Sequence, residues 1–135
     1  MLSGIPLLIV PFVAYNLGLA GSFGVPEGGD LWASHVVSLT MMSGSVFSLT
    51  VGDLLVVVAL LLLFVEILKA TRTTNVSIVD HLLSTFVFVA FLVEFLLVRA
   101  AAHPVFFTLM VISLVDVLAG FAVSLRAAGR DVHVD

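Results

Sequence analysis

The stretch LLVVVALLLLFVEIL, residues 54 to 68, holds one charged side chain among fifteen residues. Three more runs of similar texture cover roughly Ile5 to Phe23, Leu82 to Val98 and Val105 to Leu125. About 20 apolar residues in a helix cross the ~30 Å of bilayer hydrocarbon. The second and third runs are short for this, and Asp53, Lys69, His81 and Arg99 extend them to the interfaces. The 135-residue chain is 61% hydrophobic and 10% charged, against about 25% charged in an ordinary soluble domain. A domain this small cannot hide so much apolar surface from water.

Lipid offers no partner to an unpaired backbone group, so the runs are expected to be helical. The predicted fold is an all-α membrane protein, four transmembrane helices in one bundle, with a short extracytoplasmic β-hairpin between helices 1 and 2. The expected helices cover residues 5–23, 53–70, 81–99 and 105–126. The hairpin loop is placed at 24–52, a cytoplasmic loop at 71–80 and a cytoplasmic tail at 127–135. Lys and Arg set the orientation. With the N-terminus inside, Lys69, Arg72, Arg126 and Arg130 are cytoplasmic and only Arg99 is outside. Both termini are therefore expected in the cytoplasm. The first run has no positive n-region, and Pro6 and Pro11 interrupt it, so it reads as a membrane helix bent at Pro11 rather than a signal peptide.

Residues 24 to 52 differ in texture. GVPEGGD is turn-forming, and VVSLTMMSGSVFSLTV alternates apolar with hydroxyl residues. A three-residue turn at Ser43, Gly44 and Ser45 places Val37, Leu39 and Met41 opposite Val51, Leu49 and Phe47 on one apolar face. Thr40 then faces Ser48, and Ser38 faces Thr50, on the other. Asp53 is the expected N-cap of the second helix. A hairpin of this size is marginal alone and needs lipid, the bundle or a partner beneath its apolar face.

The segment SLVDVLAGF, residues 113 to 121, sets Asp116 about 15 Å from either end of the fourth run. A carboxylate at such depth costs ~2.5–3.5 kcal/mol on an insertion scale. Ser113, Gly120, Ser124 and Ala127 share its helical face, a small-residue seam suited to close helix packing. Asn16 is placed at similar depth, as a hydrogen-bond partner for Asp116. With no cation expected at that level, two readings stand: a neutral acid joining helices, or a site that exchanges protons or binds a cation. Glu94 lies about 140° around its helix from Arg99 and so is expected to face the bundle interior. Glu66, one turn before Lys69, reads as an interfacial partner of that lysine.

With no cysteine, thiolate chemistry and disulfides are excluded. The four histidines are spread over different levels, and His81 and His103 fall at opposite ends of the third helix, so neither a metal site nor a haem site is expected. Nine acids against five bases exclude a basic nucleic-acid footprint. No nucleophile elbow or phosphate loop is present, so no enzyme activity and no cofactor is expected.

EILKATRTTNVSIVDHLLSTFVFVAFLVEFLLV, SGSVFSLTVGDLL and SLRAAGRDV together resemble a group of small uncharacterised four-helix bacterial inner-membrane proteins. The resemblance implies a bacterial inner membrane and four spans, and brings no activity with it. The small multidrug transporters, of similar length, carry a glutamate in the first helix where this chain has Asn16, which separates the two. The expected function is an accessory or structural subunit, in contact with the bilayer and with copies of itself or other membrane proteins. The alternative is a proton-linked carrier or channel built on Asp116 and Glu94.

Overall fold

The computed structural model describes residues 5–21, 29–71 and 75–132; side chains at 75–78, 124 and 127–132 are outside the description. Four α-helices and one two-stranded hairpin follow one another: α1 (Ile9–Leu19), β1 (His35–Thr40), β2 (Val46–Thr50), α2 (Val51–Ala70), α3 (Asn75–Leu97) and α4 (Pro104–Val132). Single 3-10 turns at Leu31–Ala33 and Arg99–Ala101 join them. Three helices are long and apolar enough to cross a membrane: Val51–Ala70, Val79–Leu97 and Pro104–Val123.

The bounds differ from expectation in four places. α1 has 11 residues, about 16 Å, and not the span from 5 to 23. Pro11 therefore falls in its first turn, where a missing N–H costs nothing. α3 starts at Asn75, inside the loop placed at 71–80. α4 continues through residues placed in the tail.

α4 packs along both α2 and α3, and α1 lies against α2 and α4. The first segment runs antiparallel to α2. The Ile5 carbonyl meets Lys69 near the end of α2, and Gly18 meets Trp32, which also covers Gly52 at its beginning. The core is mainly aromatic: Phe91 and Phe106 are fully buried with rings 5.3 Å apart, and Tyr15 stacks on Trp32 at 4.4 Å. Outward faces carry Leu61, Phe64, Phe86, Leu96 and Phe121, all exposed, while Glu66, Asp80, Ser84, Ser113 and Asp116 are buried. Large apolar groups outside and carboxyls inside invert the arrangement that water selects, and fit a hydrocarbon surround.

The hairpin is antiparallel, but its register is shifted from the expected one. Leu39 pairs with Phe47, Val37 with Leu49 and Ser38 with Ser48, with an irregularity between His35 and Val37. The turn still has three residues, but they are Met42, Ser43 and Gly44. The Met41 N–H donates to the Ser45 carbonyl, and Gly44 takes φ +91°. A left-handed residue is required at that point of a three-residue loop, and only Gly44 adopts it without steric cost. The shift moves the partner of each residue by two places, so side chains keep their faces. Ser38 and Ser48 hydroxyls meet at 3.2 Å. Every residue of β1 is exposed.

β2 leads into α2 without a linker. Thr50 is the N-cap of α2, not Asp53: the Asp53 N–H donates to Thr50 Oγ1 at 3.1 Å, and the Thr50 N–H donates to Asp53 Oδ2 at 3.2 Å. This reciprocal pair satisfies two orphan donors at the helix start.

Candidate functional site

Near the end of α2, four segments converge on one polar cluster. Lys69 reaches back one turn to donate to Glu66 Oε1 at 2.9 Å. The same ammonium lies 3.1 Å from Asp80 Oδ1 on α3 and donates to the Ile5 carbonyl at 2.7 Å. Glu66 Oε1 also accepts the Leu7 N–H at 2.8 Å. Asp116, on α4, is bonded by the Ser84 side chain of α3 and lies within the electrostatic reach of Glu66, Asp80 and Lys69. The side-chain exposures are 0% for Glu66, 7% for Asp80 and 12% for Lys69, so the cluster is enclosed by the helices.

This geometry revises the expectations for two acids. Glu66 does pair with Lys69, but inside the bundle rather than snorkelling to its edge. Lys69 is a cation whose charge reaches Asp116, although its ion pairs are with Glu66 and Asp80. Asn16 is not its partner: the Asn16 amide donates to the Phe12 carbonyl at 2.9 Å and bonds Glu94. Asp116 and Glu94, read together as one site, thus stand in separate polar groups.

An apolar layer lies between the two. Phe12 meets Phe91 edge-on at 4.9 Å, and Phe106, Leu109 and Ile112 complete it from α4. On the far side of it, the Tyr15 hydroxyl donates to the Ala100 carbonyl at 3.1 Å. His103 Nε2 lies 3.3 Å from Asp30, whose other carboxylate oxygen accepts the Trp32 N–H.

Of the small-residue seam, Ser113 and Gly120 are buried, and the side chain of Ser124 lies outside the described residues. Gly120 faces His81: a Cβ built there would stand 2.6 Å from the imidazole Nδ1, so α3 and α4 approach at this level because glycine is present. His81, half-buried, is therefore packed against α4. Val37, Leu39, Met41 and Phe47 of the hairpin are exposed, while Leu49 and Val51 are half-buried.

Asp80 and Ser84 were missed in the sequence. Asp80 sits in a stretch that looks like a polar loop, and its one legible signal is helical spacing, since Asp80 and Ser84 are four residues apart on one face. Tyr15 and Trp32 were missed because aromatic residues in an apolar chain carry no distinguishing signal.

No protein-family model matches this chain, and neither does any curated protein or solved structure. What the cluster can do must be argued from its chemistry. Among the described residues one ammonium pairs with two of the three carboxyls, and Glu66 Oε2, Asp80 Oδ1 and Ser113 Oγ are buried without a hydrogen-bond partner. Burying carboxylates without matching cations is expensive, and the usual remedy is to hold protons. Among the described residues no group of His, Cys, Asp and Glu has the geometry of a metal site.

Proposed function

We propose that the protein is a small proton-linked carrier or channel of a bacterial inner membrane, with Asp116, Glu66 and Asp80 as its proton-binding groups and Lys69 as their counter-ion. The observation that carries this reading is the surplus, among the described residues, of buried carboxyls over ammonium groups on three different helices. A structural ion pair needs one acid for each base. Further acids at this depth are costly unless they titrate, and intramembrane ionisable residues usually mark such pathways. Glu94 with Asn16 forms a second polar station across the phenylalanine layer.

Four crossings with both termini in the cytoplasm agree with the positions of the five basic residues. They also agree with the course of the first segment, which accompanies α2 from Lys69 to Gly52. The cluster then faces the cytoplasmic side and the hairpin the outer side.

The test is proton flux into liposomes containing the purified full chain, followed with an enclosed pH-sensitive dye. Asp116→Asn should abolish the flux while leaving assembly intact, because the amide still fills the site. Equal flux in the wild type and the variant would overturn the reading.

A second reading, an accessory or structural subunit of a membrane assembly, is favoured by the hairpin. It offers exposed Leu39, Met41, Met42, Val46 and Phe47, and no charged residue occurs between His35 and Asp53. Gentle extraction with native mass measurement tests it. A stoichiometric foreign partner supports it, and a self-oligomer or a monomer counts against it.

A further inference from the structure

The polar cluster does more than join helices. Two of its shortest bonds go to backbone atoms of the segment ahead of α1. Glu66 Oε1 accepts the Leu7 N–H at 2.8 Å, and Lys69 Nζ donates to the Ile5 carbonyl at 2.7 Å. Pro6 and Leu8 are buried between and beyond these anchors. The Ile9 N–H then donates to the Pro6 carbonyl, and the chain passes into α1. Toward α3 the same segment is poorly packed. An apolar groove of about 370 Å³ separates Ile5, Pro6 and Ile9 from Leu83, Phe86 and Ala90. Charged groups thus hold Ile5 and Leu7 on one side, the groove leaves Ile5 and Pro6 open toward α3 on the other, and Leu8 anchors the end of the segment in the core.

We infer that residues 5–7 form a proton-sensitive strap, held over the Glu66–Asp80–Asp116 cluster while the cluster keeps its full charge and released when the cluster takes up a proton. The inference rests on the reading of this cluster as a proton site. The Glu66 carboxylate holds the Leu7 N–H in a charge-assisted bond. A proton added to Asp80 removes one ion pair from Lys69, and with it part of what fixes the ammonium on the Ile5 carbonyl. Among the described residues, the charged groups facing the strap are Glu66 and Lys69 from α2 and Asp80 from α3. Asp116 of α4 acts on it through them, and His81 is turned to Gly120. Release widens the groove beside α3 and opens the cluster to the end of the bundle.

The chain has no cysteine, so single labels can be placed freely. Spin labels on Ile5→Cys and Phe86→Cys stand on opposite walls of the groove. In nanodiscs containing the full chain, their distance distribution is measured at about pH 8 and about pH 3.5, on either side of the range in which carboxyl groups titrate. The expected result is one narrow distance at the higher pH and a longer, broader one at the lower. Glu66→Gln should give the broad distribution at both pH values, and Lys69→Arg should keep the pH-dependent change. A distance independent of pH in the labelled parent, or a Glu66→Gln variant that stays narrow, overturns the strap. Should Glu66→Gln fail to fold, the parent and Lys69→Arg decide by themselves. If Asp116→Asn abolishes proton flux while the distance never changes, the proton site stands and the strap falls. If the distance changes with pH and no flux is measured, the strap stands and the transport reading falls.

Discussion

The two ends of this bundle are closed by opposite means. At one, Lys69 binds Glu66, Asp80 and the Ile5 carbonyl, a handful of directional contacts each shorter than 3.2 Å. At the other, Trp32 lies flat on Tyr15, with Phe106 4.8 Å from the tyrosine ring and Ala101 buried alongside. Aromatic packing rests on buried area and ring contact rather than on charge, so it suits a permanent seal. A charge cluster is strong only while each member keeps its partner and its charge. The difference teaches that the same helices can be fixed at one end and conditional at the other.

Four substitutions test this contrast, taken from the largest expected effect. Lys69→Met leaves three buried carboxyls without their ammonium and should cost about 3–5 kcal/mol of stability, read by unfolding in detergent. That loss should shrink on acidification, because protonated carboxyls no longer need the cation; a loss equal at all pH values would break the contrast. Trp32→Ala empties the aromatic end and should cost about 3 kcal/mol, the same at high and low pH. Tyr15→Phe removes only the bond to the Ala100 carbonyl and should cost ~1 kcal/mol or less, sharpening the claim that packing, not hydrogen bonding, seals this end. Ser48→Ala, in the exposed hairpin pair, should cost a few tenths of a kcal/mol, measured as a thermal shift. A larger loss there would mean that the hairpin supports the bundle.

Much of the fold was legible because apolar length and period-two alternation are local properties. The run around Leu54–Leu68 and the alternation from Val36 to Val51 needed no knowledge of distant residues. The register slipped because the choice between Ser43–Ser45 and Met42–Gly44 as the turn leaves every side chain on its face. Only the left-handed Gly44 and the Met41–Ser45 bond separate the two. The candidate site was legible residue by residue and not as a set. Asp116 and Glu66 stood out as acids in apolar runs, whereas Asp80 looked like a loop residue. Asn16 was matched to Asp116 by depth alone, although its azimuth on α1 turns it toward Glu94.

By itself, then, the sequence determined the number of apolar segments, the hairpin and the presence of acids where water is scarce. Those follow from the price of exposing apolar surface to water and of leaving backbone groups unpaired in hydrocarbon. The tertiary structure alone decided that Glu66, Asp80 and Asp116 share one lysine, that the segment before α1 is tied to them, and that Trp32 and Tyr15 close the other end. Such partnerships depend on the rotation of each helix about its axis. That rotation is set by how whole side-chain surfaces interlock across several helices at once, which no single segment contains.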